Sequence, residues 1–169
     1  IYGGTFNPPH LGHLTAAAAV FSMLKLDKLL LIPASIPPHK ALPAGSPTAE
    51  QRLEMTRLAG EQLGLGDKVE TLDMELHRQG KSYSSDTLAE LKALYPNDEL
   101  WLLMGTDMFL SLHTWHEPEK ILDSFVGIWL SAGSHTVAME YTPKGLIPGA
   151  LISGGSAVLL ALIALGGWL

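Results

Sequence analysis

Three short runs of apolar residues punctuate the chain: Lys28–Ala34 (KLLLIPA), Glu99–Gly105 (ELWLLMG) and Phe125–Ser131 (FVGIWLS). Each is continuous rather than alternating and is bounded by Pro, Gly or Ser, the pattern of a strand covered on both faces. Val69–Met74 (VETLDM) is a weaker strand candidate. Helical stretches lie between them. Leu11–Leu26 is rich in Ala and Leu, Thr48-Ala49-Glu50-Gln51 has the form of a capping box, and a third helix begins near Ser84–Ser85. That third helix carries Leu88, Leu91 and Leu94 at a spacing of three, which predicts one buried side. Strand alternating with helix predicts an α/β fold, a parallel sheet with right-handed crossovers and helices on both faces.

In such sheets ligands collect at the carboxyl ends of the strands, so the loops that follow the strands carry the chemistry. Pro33–Pro47 holds five prolines together with His39 and Lys40, and Arg78–Ser85 (RQGKSYSS) is polar and leads into the third helix. No internal repeat or low-complexity linker interrupts the pattern.

Composition narrows the picture. The 169 residues are 47% hydrophobic and 17% charged, enough for the core of a single domain spanning 1–169. A net charge of −6 argues against broad nucleic-acid binding, but a small anionic ligand can still find a locally positive site. With no cysteine, thiolate catalysis and cysteine-ligated zinc are excluded, and the composition suits a reducing cytoplasm. No signal peptide is visible; the chain opens at Ile1 and reaches its first motif at once, so the first strand is expected to start upstream.

That motif is Gly3-Gly4-Thr5-Phe6-Asn7-Pro8-Pro9-His10-Leu11-Gly12-His13. Gly3 and Gly4 follow the end of a presumed strand and let backbone amides approach a ligand. Thr5–Pro9 turns the chain, and a helix starting near Pro9–Leu11 points its free amides at the loop, which favours an anion there. His10 and His13 lie about one helical turn apart and can both donate to phosphate oxygens, with Gly12 between them leaving room for a base or ribose. An isolated His-x-x-His is most often a packing accident or a metal pair; on a strand-to-helix turn behind two glycines it reads as a phosphoryl-transfer cradle.

The segment resembles the His-x-Gly-His nucleotidylyltransferase superfamily, and its Asn-Pro-Pro-His form looks like the nicotinate-nucleotide adenylyltransferases. Two more segments carry the resemblance. Asp73–Leu88, with Glu75, Arg78, Gly80, Ser82, Tyr83, Ser84, Ser85 and Thr87, is similar to the family segment that recognises the nicotinate end of the mononucleotide. Hydroxyls and amides at a helix start suit a carboxylate. Gly105-Thr106-Asp107, with Trp115-His116 downstream, is similar to the family's Gly-x-Asp segment and its tryptophan. The resemblance implies a Rossmann-like doubly wound sheet of about five strands. It implies that Gly3, Gly4, Thr5, Phe6, His10, His13, Gly105 and Asp107 bind ATP and its phosphates. It further implies that Asn7, Lys40, Arg78, Ser82, Tyr83, Ser84, Ser85, Thr87, Asp107 and Trp115 bind nicotinate mononucleotide. Asp107 would bond ribose hydroxyls, Trp115 would stack on the pyridine ring, and His10, His13 and Lys40 would be the catalytic groups.

The activity so implied is adenylyl transfer from ATP, with Mg2+, to nicotinate mononucleotide, giving nicotinate adenine dinucleotide and pyrophosphate. The implied partners are these nucleotides, without nucleic acid or membrane, in a cytoplasmic protein that could be a homodimer. No metal ligands are assigned. His77, His113, His116 and His135 read as structural or surface residues, and Arg78 as a possible ion pair with Glu75. Phosphopantetheine adenylyltransferases and cytidylyltransferases share the first motif, and a nucleotide-binding protein without turnover is the alternative from another class.

The resemblance runs over 1–122 and fades through 123–169. The family's C-terminal Ile-Ser-Ser-Thr-x-x-Arg segment is missing: the nearest text is Ile152-Ser153-Gly154-Gly155-Ser156, and no arginine follows Arg78. After Lys144 the chain is uncharged, which leaves open an altered reading frame, a divergent core segment, or a membrane-associated stretch over Ile147–Leu169 that Pro148 and five glycines disfavour.

Overall fold

A computed structural model of the chain describes residues 1–123 and, as backbone, the strand 127–129. The remainder, including His135, Ile152–Ser156 and the apolar stretch Ile147–Leu169, lies outside the described residues. Among the described residues, five strands and five α-helices follow in the order β1 (Tyr2–Gly4), α1 (Leu11–Leu24), β2 (Leu29–Pro33), α2 (Ala49–Glu61), β3 (Val69–Thr71), α3 (Ser84–Leu94), β4 (Trp101–Leu103), α4 (Thr106–Leu110), α5 (Pro118–Leu122) and β5 (Gly127–Trp129).

Two parallel ladders form, β1-β2-β3 and β4-β5. Ile1 joins them: its amino group donates to the Trp101 carbonyl at 2.7 Å, and Leu103 N–H donates to the Ile1 carbonyl at 2.8 Å. The spatial order is therefore β3-β2-β1-β4-β5, as expected of a doubly wound sheet, and strand order reverses between β1 and β4. Ile1 lies level with Leu102 in this pairing, so the chain leaves both strands at one height, at Gly4 and at Gly105.

The unbroken apolar run of β2 has a direct cause in packing. Leu30 and Ile32 face a core completed by Leu88, Leu91, Leu102 and Ile121, while Leu29 and Leu31 face a second one with Ala17 and Phe21. All five positions of β2 are buried.

Helix ends follow local chemistry. Thr48 Oγ1 accepts from Gln51 N–H at 3.2 Å and Gln51 Oε1 accepts from Thr48 N–H at 2.9 Å, the reciprocal box expected from the sequence. Helix α1 stops two residues short of the predicted Leu26 because Lys25 adopts a left-handed conformation, with φ 52° and ψ 46°. Leu94 departs from expectation: Leu88 and Leu91 are buried, but Leu94 is 62% exposed. Each step of three residues falls about 60° short of a full turn, so two steps carry Leu94 off the buried face.

Candidate active site

The loop between β1 and α1 sits where strand order reverses, at the carboxyl end of the sheet. Phe6 anchors it: the ring is 3% exposed, meets Tyr2 edge-on with centroids 5.5 Å apart, and covers Gly4, where an added Cβ would lie 3.2 Å from it. Gly4 lacks a side chain to let Phe6 pack. Gly3 is exposed, and a Cβ added there would have only the Ile32 carbonyl near it, at 4.0 Å, so its open side faces the loop's surroundings.

His10 is the N-cap of α1, in extended conformation, and its N–H donates to His13 Nδ1 at 3.2 Å. In the neutral ring that bond leaves the His13 proton on Nε2, as a donor. The two imidazoles lie 3.8 Å apart between centroids. Burial, then the neighbouring charges of His10 and Lys40, hold the His13 pKa below its ordinary 6.5. Lys40 thus acts on His13 electrostatically. Gly12 has a sharper role than the clearance expected for a base: a Cβ there would meet the His10 ring at 3.0 Å, so its absence seats His10.

The segment after β2 bridges to the second group of candidates. Asn7 Nδ2 donates to Ser46 Oγ at 3.2 Å, tying the first loop to the segment that carries Lys40. Ser35 N–H donates to Ser82 Oγ at 3.0 Å, Ser82 N–H donates to the Ile36 carbonyl at 2.9 Å, and the His39 ring lies 5.0 Å from Trp115. Lys40, Ser82 and Trp115 are thereby brought into one neighbourhood.

Within that group, Arg78, Thr87 and Ser82 are engaged with protein. Arg78 Nη1 donates to Thr87 Oγ1 at 2.7 Å, Thr87 Oγ1 donates to Glu75 Oε1 at 2.6 Å, and Arg78 Nη2 is paired with Glu90. The ion pair of Arg78 is thus with Glu90, while Glu75 is reached through Thr87. Tyr83 stacks on His116 with centroids 4.2 Å apart, and Ser85 Oγ lies 3.2 Å from His116 Nδ1. His116, read from the sequence as structural or surface, contacts two of the candidate residues; the Trp-His pair following Gly-x-Asp was the available signal. Ser84 opens α3 beside them.

Asp107 stands apart, exposed in the first turn of α4 on the β4 side. A Cβ at Gly105 would come within 2.6 Å of its Oδ1, so the glycine lets the carboxylate fold back over the helix start.

Glu75 is buried, and desolvation raises its pKa above the ordinary 4.5 against the opposing bonds from Thr87 and Ser82. A raised folded-state value means that stability from the protonated form is complete below 4.5 and declines as pH rises through the folded value. Glu75→Gln keeps an acceptor for Thr87 and removes that decline. The variant is expected to match or exceed the parent in thermal midpoint at pH 7 to 8, with a flatter profile from pH 4 to 8; a midpoint that drops at pH 7 would mean the carboxylate charge itself stabilises the network.

Residues 1–133 match the cytidylyltransferase-like family, and the chain belongs to that family. A curated relative from Citrifermentans bemidjiense, "Probable nicotinate-nucleotide adenylyltransferase", is 46% identical over 123 residues, covering 73% of this chain and 55% of the relative. One of the same name from Shouchella clausii is 44% identical over 121 residues, covering 72% and 61%. This chain spans little more than half the length of these relatives. Among solved structures, a Plasmodium falciparum nicotinic acid mononucleotide adenylyltransferase complexed with NaAD superposes with a TM-score of 0.64 at 18% identity, covering 76% of this chain and 71% of that one, which establishes the shared α/β fold. No helix among the described residues is long and apolar enough to cross a membrane.

Proposed function

We propose that the chain transfers the adenylyl group of ATP to nicotinate mononucleotide in a cytoplasmic setting. The observation that carries this reading is the His10–His13 pair at the start of α1, behind Gly4 and within the field of Lys40, at the reversal of strand order. The names of the relatives at 44 to 46% identity support the substrate.

Phosphoryl transfer requires in-line placement and donors aimed at the developing charge. A phosphate oxygen of the mononucleotide attacks the α-phosphorus of ATP. A new P–O bond forms, the bond from the α-phosphorus to the bridging oxygen breaks, and pyrophosphate departs with the electron pair. His13 Nε2–H, His10, Lys40 and the amides around Thr5 donate to the phosphates, and no covalent enzyme intermediate is needed. Asp107 holds ribose hydroxyls, while Tyr83, Ser84, Ser85 and Trp115 form the pyridine end. Arg78, Ser82 and Thr87 act there by holding the segment in shape.

The His10, His13 and Lys40 donors are nitrogens, whereas magnesium prefers oxygen ligands and substrate phosphates, so the ion enters as the Mg–ATP substrate. The direct test supplies ATP, magnesium and nicotinate mononucleotide to the purified chain and follows dinucleotide and pyrophosphate. Equimolar formation of both is expected. Calorimetric binding of the mononucleotide without either product would assign a binding protein instead.

A further inference from the structure

Arg52 projects from α2 to a position beneath both phosphate-site loops and is 1% exposed. Its Nη1 donates to the Thr5 carbonyl at 2.8 Å and to the Ala34 carbonyl at 2.5 Å, and its Nη2 donates to the Ser35 carbonyl at 2.8 Å. Thr5 belongs to the turn that presents His10 and His13; Ala34 and Ser35 begin the segment that leads to Lys40. Buried Nε has no hydrogen-bond partner among the described residues, and no carboxylate there forms an ion pair with the guanidinium. A buried cation held only by carbonyls is costly. An apolar side chain there would leave the three carbonyls without these donors, and a single planar fork serves all of them at once.

These bonds also orient the peptide groups. A trans peptide is planar and its C=O and N–H point in opposite directions. Turning the Thr5 carbonyl down onto Arg52 turns the N–H of Phe6 up, out of the other side of the loop. The same geometry operates at Ala34, whose carbonyl faces Arg52 while the N–H of Ser35 points away and meets Ser82 Oγ at 3.0 Å.

We propose that Arg52 is a positioning residue for phosphate binding and transfer: it sets the Thr5–Phe6 peptide with its N–H toward the nucleotide phosphates and locks the His10–His13 turn to the Lys40 segment. The proposal rests on the adenylyl-transfer reading for its kinetic consequence, and on pyrophosphate binding for a consequence independent of it. The guanidinium, which forms no ion pair among the described residues, adds positive potential beneath the anion as well.

The experiment uses Arg52→Lys, which keeps the charge but cannot span three carbonyls with a planar fork. We expect kcat/KM to fall about 10- to 100-fold, the range of one or two charge-assisted hydrogen bonds. Combined with Lys40→Ala, the two losses should be less than additive, because part of the Arg52 effect runs through the placement of the Lys40 ammonium and the rest through the Phe6 N–H. A merely structural role predicts additive losses, and that result, or parental kcat/KM in Arg52→Lys, overturns the proposal. If the parent protein shows no turnover, the adenylyl-transfer reading fails and calorimetry with inorganic pyrophosphate decides for Arg52: binding at least tenfold weaker in the variant supports it, equal binding overturns it. If Arg52→Lys does not fold, hydrogen exchange on the parent decides. Pyrophosphate should then slow exchange at Phe6 and also at Ser82, whose N–H is bonded to Ile36 in the locked segment; slowing at Phe6 alone overturns the proposal.

Discussion

Replacing His13 by alanine is expected to lower kcat on the order of 100- to 1000-fold in dinucleotide formation, the usual loss for one preorganised donor at a developing charge. The expectation follows from the geometry of the side chain. Its Nδ1 is occupied by the His10 N–H, which leaves Nε2 as the donor of the neutral ring, and the rings of Tyr2 and Phe6 confine it at centroid distances of 5.9 and 5.2 Å. Fold stability should fall only by about 1 kcal/mol, the order of a lost capping interaction. The variant also changes the pH profile. The lowered pKa of His13 means that the unfolded chain takes up a proton before the folded one does, so the parent loses stability as pH falls from 6.5 toward the lower folded value and no further below it. His13→Ala should lack that loss. A variant retaining more than a tenth of parental kcat would remove His13 from the transfer step.

The second large effect concerns the sheet. Ile32 is fully buried in β2 and packs into the core that includes Leu88 and Leu91. Ile32→Ala should destabilise the protein by about 2 to 5 kcal/mol through lost burial and the cavity left behind. Typical stabilities are only about 5 to 15 kcal/mol, so this is a major fraction of the whole. Leu94→Ala, a truncation at a residue 62% exposed, should stay within about 0.5 kcal/mol. Urea denaturation of both variants, read as midpoint and slope, checks the pair; similar midpoints would contradict this packing.

The layered fold was legible because its signal is local. The run around Leu29–Pro33 is apolar at every position because both faces are covered, and the box at Thr48 and Gln51 is written in adjacent residues. The loop from Gly3 to His13 was equally readable, since strand end, turn and helix cap follow one another directly. Arg52 was not. It lies in the sequence Ala49-Glu50-Gln51-Arg52, where a charged residue ordinarily faces solvent. It is buried only because two distant loops lay three carbonyls against it, at separations of 47, 18 and 17 residues. Arg78 misled in a related way: Glu75 is near in sequence, yet the hydroxyl of Thr87 stands between them and the paired carboxylate is Glu90, twelve residues away. Gly12 and Gly105 were placed at the site, but the contacts that require them are with His10 and Asp107, side chains whose directions a spacing pattern does not contain.

Phe6 shows how narrow the sequence choices within such a loop become. Its φ of 45° lies in the left-handed region that favours glycine, while its ring is buried and fills the space above Gly4. The two demands pull toward opposite ends of the amino-acid alphabet. Glycine would relax the backbone and empty the site's hydrophobic floor; valine or isoleucine would fill part of the floor and resist the backbone. The position therefore lies in a steep-sided hollow of the mutational landscape, with few single-step neighbours that keep the loop's shape.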